Sequence, residues 1–179
     1  MTRSRVALSM VLLAVMGGLA MAQKNFDFFR PETFKHRVTV PRRVVPLVTR
    51  DLRTKPGCDE KASPERPTFE AWRINLGAHR RALLVRGYSD CLHWANRFWF
   101  FVVLKSSAGY RLVLHGGSES LIVRNTITHR FPDLETASST AAGIWRDLYK
   151  FNGQVYRADL CTFTNAGTRK SESVACRSQ

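Results

Sequence analysis

Five basic side chains lie close together in the sequence: Arg73, His79, Arg80, Arg81 and Arg86. They fall within 14 residues that contain no acidic residue. The planar guanidinium group of arginine donates paired hydrogen bonds to phosphate and carboxylate oxygens. We therefore expect these residues to form an anion-binding rim, if the chain brings them to one edge. The alternative is an ordinary solvated, charged face.

Histidines and paired carboxylates are the other side chains that could carry chemistry. Two histidines with an arginine can cleave RNA by general acid–base catalysis, and His79, His93 and His115 are the candidates. No local motif joins them, so a small, basic, ribonuclease-like hydrolase is the alternative hypothesis. Asp133 and Glu135 alternate with apolar residues, which predicts that both lie on one side of a strand. Paired carboxylates can act as acid and base, but we predict no catalytic residue here.

Four cysteines are the candidates for covalent cross-links: Cys58, Cys91, Cys161 and Cys176. An even number in an exported chain indicates two disulfides, and three pairings are possible. The short spacing of Cys161 and Cys176 favours that pair, which leaves Cys58 with Cys91. No C-x-x-C motif occurs, so we predict no metal site and no cofactor.

The first 22 residues have the pattern of a secretory signal peptide. Arg3 and Arg5 precede an apolar run over residues 6–20, and Ala20-Met21-Ala22 fits the small-x-small cleavage rule. The apolar run is shorter than the roughly 20 residues that a spanning helix needs. We therefore expect cleavage after Ala22 and a periplasmic or extracellular mature protein.

The chain is strongly basic. Lys and Arg number 28 against 14 Asp and Glu, a net charge of +14. Two of the basic residues lie in the signal peptide, so the mature chain has 26 against 14, or +12. A charge of this size predicts attraction to polyanions and a soluble monomer. The expected partner is an anionic envelope polymer, a lipid surface or another exported protein, and not nucleic acid. The alternative is that the protein is basic for no specific purpose.

Proline marks the region after the signal peptide. Six of the seven prolines lie between Pro31 and Pro67. Because proline lacks the backbone donor and fixes φ, residues 23–68 cannot be central strands or a long helix. We expect an N-terminal extended arm, with residues 38–40 and 44–48 as candidate edge strands. A β-rich domain over residues 69–179, with a disulfide-tied tail, is expected to follow.

From Phe69 the sequence takes on an all-β pattern. Residues 72–76 alternate between apolar and polar, as a half-buried strand does. Residues 98–104 (FWFFVVL) predict a central strand buried on both faces. Residues 110–114 are its expected partner, and Gly116-Gly117 is expected to break the chain. Short turns at regular spacing predict an antiparallel meander, folded as a small sandwich or a barrel-like domain.

Asn152-Gly153 predicts a two-residue β-hairpin, since both residues readily take the positive φ values of a type I′ turn. Counting outwards from this turn places Phe151 opposite Gln154. Residues 137–150 also fit a helix, because Ile144 and Leu148 are four positions apart and would lie on the same helix face. The β-forming residues from position 144 onward favour a strand.

Several motifs occur in a fixed order: residues 72–77 (WRINLG), 109–114 (GYRLVL), 131–135 (FPDLE) and 149–156 (YKFNGQVY). This order resembles exported bacterial proteins similar to FG-GAP or integrin-like repeat modules, over residues 69–162. The resemblance implies a β-rich scaffold and no reaction. Such repeats often bind calcium through a D-x-D-G-D loop, but the matching residues 75–80 contain no carboxylate. Calcium binding is therefore not carried over.

Together these patterns predict an exported, non-enzymatic binding or accessory protein. Its basic face would recognise an anionic envelope component or a protein partner, with an affinity that falls as salt rises.

Overall fold

The computed structural model describes residues 24–52, 68–77, 80–88, 92–94 and 97–176. The predicted signal peptide, His79 and the cysteines at positions 58 and 91 lie outside these residues. The described chain is mostly β, as the sequence predicts. In chain order its elements are β1 (Lys24–Asp27), a 3₁₀ turn (Pro31–Thr33), β2 (Arg37–Val38), α1 (Val45–Leu52), β3 (Thr68–Asn75), β4 (Arg81–Tyr88), β5 (His93–Trp94), β6 (Arg97–Ser106), β7 (Gly109–Ser118), β8 (Ser120–Thr128), β9 (Phe131–Thr140), β10 (Gly143–Phe151), β11 (Tyr156–Asn165) and β12 (Ser171–Val174).

The strands form two antiparallel sheets. Sheet A has the order β1-β8-β9-β10-β11-β12, so it is a meander with the first strand of the described residues added at one edge. In sheet B, β2 pairs with β3, β3 with β4, and β4 with β6. The short β5 pairs with the start of β6 on the same side as β4, and β7 pairs along the other side of β6. In the described residues the two sheets do not close into a barrel. The fold is therefore the sandwich form of the predicted all-β domain.

Strand β6 lies at the centre of the packing, because both of its faces are covered. Phe100 and Val102 belong to the core between the two sheets. Phe101 and Val103 belong to a second core, between sheet B and helix α1. The prediction of a central strand buried on both faces is confirmed.

Helix α1 occupies the segment where the sequence suggested an edge strand over residues 44–48. Val44, Val48 and Leu52 recur every four residues and are all buried against the outer face of sheet B. Pro46 is the second residue of the helix, where proline is tolerated because the first turn has no partner for its N–H. The edge-strand prediction is wrong here because apolar burial along one helix face outweighs the strand preference of valine.

Gly116 and Gly117 do not break the chain as expected, since β7 runs through both. Gly117 pairs with Trp99, and a Cβ atom at this glycine would lie 3.1 Å from the indole ring. Glycine is used here so that the aromatic ring can approach the neighbouring backbone.

The Asn152-Gly153 hairpin forms between β10 and β11, but its register differs from the predicted one. Phe151 pairs with Tyr156 rather than with Gln154. The Asn152 side-chain oxygen accepts hydrogen bonds from the N–H groups of Gln154 and Val155, both at 2.9 Å. This side-chain bonding closes a four-residue loop, which moves the three pairs nearest the turn by two positions, and a bulge at Leu148 and Tyr149 moves the later pairs by a third.

Phe28 joins the two sheets just after β1. Its N–H donates to the Glu119 carbonyl oxygen of the β7–β8 corner at 2.8 Å. Its own carbonyl oxygen accepts a hydrogen bond from Arg86 of sheet B at 2.6 Å. Its ring is fully buried and stacks on Phe100, with ring centroids 5.3 Å apart. One residue therefore ties the start of the described chain to both layers.

Cys161 and Cys176 form a disulfide, with Cα atoms 5.2 Å apart. The bond joins β11 to the segment after β12, the edge strand of sheet A. This confirms the pairing that the spacing favoured. The predicted Cys58–Cys91 pair lies outside the described residues.

Candidate anion-binding site

Four strand connections lie at one end of the sandwich: β3–β4, β6–β7, β8–β9 and β10–β11. The antiparallel order of each sheet places every second connection at the same end. The two sheets are joined there by Arg80 of the β3–β4 connection, whose guanidinium carbon lies 4.2 Å from the ring centroid of Phe131 in β9. Such cation–π packing is favourable at partly exposed sites. The contact therefore holds the β3–β4 connection of sheet B next to the start of β9 in sheet A.

This end carries a concentration of positive charge, which we call the basic end. All of its side chains are exposed, and none has an ion-pair partner among the described residues. Its members are Arg80, Arg81, Lys105, Arg111, His129, Arg130 and Arg157. Unpaired arginine and lysine side chains of one sign on one surface produce a positive potential that attracts anions.

Two described carboxylates lie near the basic end: one is buried and the other forms an ion pair. Asp133 is buried, with 3% of its surface exposed. Asp159 forms an ion pair with Lys150, with the Nζ and Oδ2 atoms 2.8 Å apart. The hydrogen bond from Lys150 to Asp159 raises the pKa of the lysine above its ordinary value. Lys150 lies opposite Arg157 in the β10–β11 ladder, so this carboxylate is already engaged by a neighbouring cation.

The β8–β9 turn holds two of the basic residues in a costly backbone conformation. His129 and Arg130 have φ values of 49° and 67°, in the left-handed region. A two-residue hairpin of type I′ requires this, and Asn-Gly is the usual solution. A side chain other than glycine costs about 1–2 kcal/mol per residue there. Backbone strain of this kind is often found at functional sites.

The sequence-predicted rim is only partly assembled. Arg80 and Arg81 belong to the basic end, whereas Arg73 is exposed on the outer face of sheet B, beside the layer that carries α1. His79 lies outside the described residues. Arg86 points into the core, so it is not available to a ligand on this surface.

Arg86 has a structural environment that sequence spacing did not reveal. Its guanidinium group forms an ion pair with Glu70 and donates to the Phe28 carbonyl oxygen. It also lies 5.0 Å from the ring centroid of Phe98 and 5.9 Å from that of Trp72. The positive charge is thus satisfied inside the molecule.

Five members of the basic end were missed by sequence reasoning: Lys105, Arg111, His129, Arg130 and Arg157. Each follows or precedes a strand connection by no more than a few residues. They are spread over more than fifty positions, so no local cluster marks them. Their only signal in the sequence is that each is basic and close to a predicted turn.

The other candidates have separate locations. The His115 Nδ1 atom lies 3.0 Å from Asp51 Oδ2, which joins β7 to α1 on the outer face of sheet B. His93 pairs with Phe98 on the opposite side of β6 from β7. Glu135 is engaged by two arginines of sheet A, Arg124 at 3.2 Å and Arg146 at 2.8 Å. Asp133 and Glu135 share a face of β9, as predicted, but Glu135 serves as the centre of a charge network.

Within the described part of the chain, no three His, Cys, Asp or Glu residues are grouped as a metal ion would require. No helix in those residues has the length and apolar character needed to cross a bilayer. Comparison with known proteins gives no match to a family model, to a curated protein or to a solved structure.

Proposed function

We propose that the protein is an exported, non-enzymatic binding protein that attaches to an anionic component of the cell envelope through its basic end. The observation that carries the proposal is the gathering of seven exposed, unpaired basic side chains at one end of the sandwich. They come from different connections that the fold alone brings together.

The nature of these side chains supports phosphate or carboxylate as the ligand chemistry. Five of the seven are arginines, whose fork geometry matches both groups. Arg80 is held in place by Phe131, so it loses little freedom on binding. The turn at His129 and Arg130, whose backbone is held in the left-handed region, presents two more donors.

The test compares two triple variants for binding to polyphosphate, a soluble polyanion. The first carries Arg81→Gln, Lys105→Gln and Arg130→Gln at the basic end. The control carries Arg97→Gln, Arg169→Gln and Lys170→Gln, which removes the same charge at the opposite end of the sandwich. Binding is measured at low and at physiological salt, with a thermal melt of each variant to verify folding.

We expect the basic-end variant to bind about 100-fold more weakly, because each Lys or Arg near an anionic surface contributes about 1 kcal/mol. The control should change much less. Equal losses in both variants would show that only net charge matters and would contradict the proposal. Loss of all binding at physiological salt in the unsubstituted protein would contradict it too.

A further inference from the structure

The β8–β9 hairpin is the most irregular part of the basic end. Val123 pairs with Leu134, but the next pair along the ladder joins Ile127 to Pro132. Residues 124–126 therefore lie opposite the single residue Asp133 of β9. Such bulges re-aim the side chains that follow them. The end of β8 is displaced from a regular ladder just before the strained turn.

Ile127 is the side chain that this distortion exposes. It is 64% exposed, more than any other large apolar residue in the described part of the chain. Of the other exposed apolar side chains there, Phe29, Tyr88 and Ile144 lie at or near the opposite end, while Val45 lies on α1 and Leu160 on β11. The basic end thus has one exposed aliphatic side chain, Ile127, near its basic residues.

A soluble polyanion offers no apolar region that could bury this isoleucine, whereas a lipid bilayer does. The boundary between headgroups and acyl chains takes up an aliphatic side chain while the neighbouring cations remain at the headgroups. Anionic headgroups also attract juxtaposed Lys and Arg side chains. Charge complementarity and the position of Ile127 therefore favour the same occupant.

We infer that the basic end docks on an anionic lipid bilayer, with Ile127 inserted at the acyl boundary and Arg80, His129 and Arg130 at the headgroups. This inference rests on the proposed function, because it names the anionic component that the basic end binds. It makes the protein a peripheral membrane-surface protein that approaches the bilayer end-on.

The experiment uses vesicles of phosphatidylcholine with and without phosphatidylglycerol, at physiological salt, with polyphosphate as the soluble reference. The variant is Ile127→Ser. The matched control is Ile144→Ser, an exposed isoleucine at the opposite end of sheet A. Vesicle binding is measured by co-sedimentation, and polyphosphate binding by the assay described above.

We expect Ile127→Ser to bind phosphatidylglycerol vesicles about tenfold more weakly, by loss of one buried aliphatic side chain. Its binding to polyphosphate should not change, and Ile144→Ser should match the unsubstituted protein in both assays. Unchanged vesicle binding by Ile127→Ser, or polyphosphate binding without any vesicle binding, would overturn the lipid inference and leave the proposed function standing. Normal binding of the basic-end triple variant to both probes would overturn both.

Discussion

The buried pair of Arg86 and Glu70 allows a quantitative test of how the sandwich is held together. The arginine side chain is 5% exposed and the glutamate side chain 23% exposed. Glu70 has a second partner, Arg37, with the Nη2 and Oε1 atoms 2.7 Å apart. Arg86 has no second carboxylate in the described residues, and its remaining bond is to the Phe28 carbonyl oxygen. The two partners should therefore respond differently to loss of the other.

Removal of the glutamate leaves a buried, uncompensated charge, which costs about 3–5 kcal/mol. Because Glu70 is partly exposed, we expect Glu70→Ala to lower the free energy of unfolding by about 3 kcal/mol, the lower bound of that range. Arg86→Met keeps the volume of the side chain and loses the charged hydrogen bond to Phe28, about 2 kcal/mol. Glu70 remains paired with Arg37 in this variant. The double variant should cost about 2 kcal/mol, since no unpaired charge is left inside.

The assay is urea unfolding of the four proteins, analysed as a double-mutant cycle. A coupling energy of about 3 kcal/mol is expected, well above experimental error. The exposed pair of Lys150 and Asp159, tested as Lys150→Met and Asp159→Ala, is the control and should give a much smaller coupling, because solvent screens the two charges. If the two core substitutions are additive, or if Arg86→Met costs more than Glu70→Ala, the assignment of Arg86 as a buried and internally compensated charge is refuted.

Other predictions concern single features of the fold. Arg130→Gly should stabilise the protein by about 1 kcal/mol, because glycine takes a positive φ freely, and should raise Tm by about 2–4 °C; a lower Tm would contradict the strain. Removal of the disulfide by Cys161→Ser with Cys176→Ser should cost about 3 kcal/mol and speed amide exchange in β12, and unchanged exchange would show that the bond does not hold this strand. Burial raises the pKa of Tyr156 above its ordinary value, so the contribution of this tyrosine to stability should be fully present below about pH 10 and be lost as pH rises further, when ionisation favours the unfolded chain. Urea midpoints against pH should show a smaller decline in Tyr156→Phe, and an equal decline would refute the assignment. Gly143→Ala should cost about 3 kcal/mol, since its Cβ atom would lie 2.1 Å from a backbone carbonyl oxygen of β11; a thermal melt within 1 °C of the parent would contradict this close approach.

The fold class could be predicted because the strongest patterns in the sequence are those of a two-layer β structure. The aromatic and β-branched run of β6 needs cover on both faces, and the structure supplies it from sheet A and α1. Helix α1 was missed although its apolar residues recur every four positions, since the prolines around it weighed against a helix. The hairpin at Asn152 was located, but its register depended on side-chain hydrogen bonds that residue spacing does not reveal.

The candidate site could be predicted only where its residues are neighbours in the sequence. Arg80 and Arg81 were found in this way. Arg130 and Arg157 reach the same end through the order of the strands, which local reasoning cannot supply. Arg86 was included in the predicted rim although it is buried, because its pairing with Glu70 depends on the β3–β4 register. Whether a charged side chain is buried depends on how the strands pair, which a local cluster of charges does not reveal.

The position of β1 has a consequence for the order in which the molecule can fold. Strands β8 to β12 pair with their neighbours in sequence, but Lys24 of β1 pairs with Val123 of β8. Closing such a long loop is entropically expensive, and contacts of this kind form late. Strand β1 must therefore wait for β8, and until the two pair, an edge of sheet A and the ring of Phe28 have no cover. Folding of this protein should be limited by that final addition, which closes both layers at once.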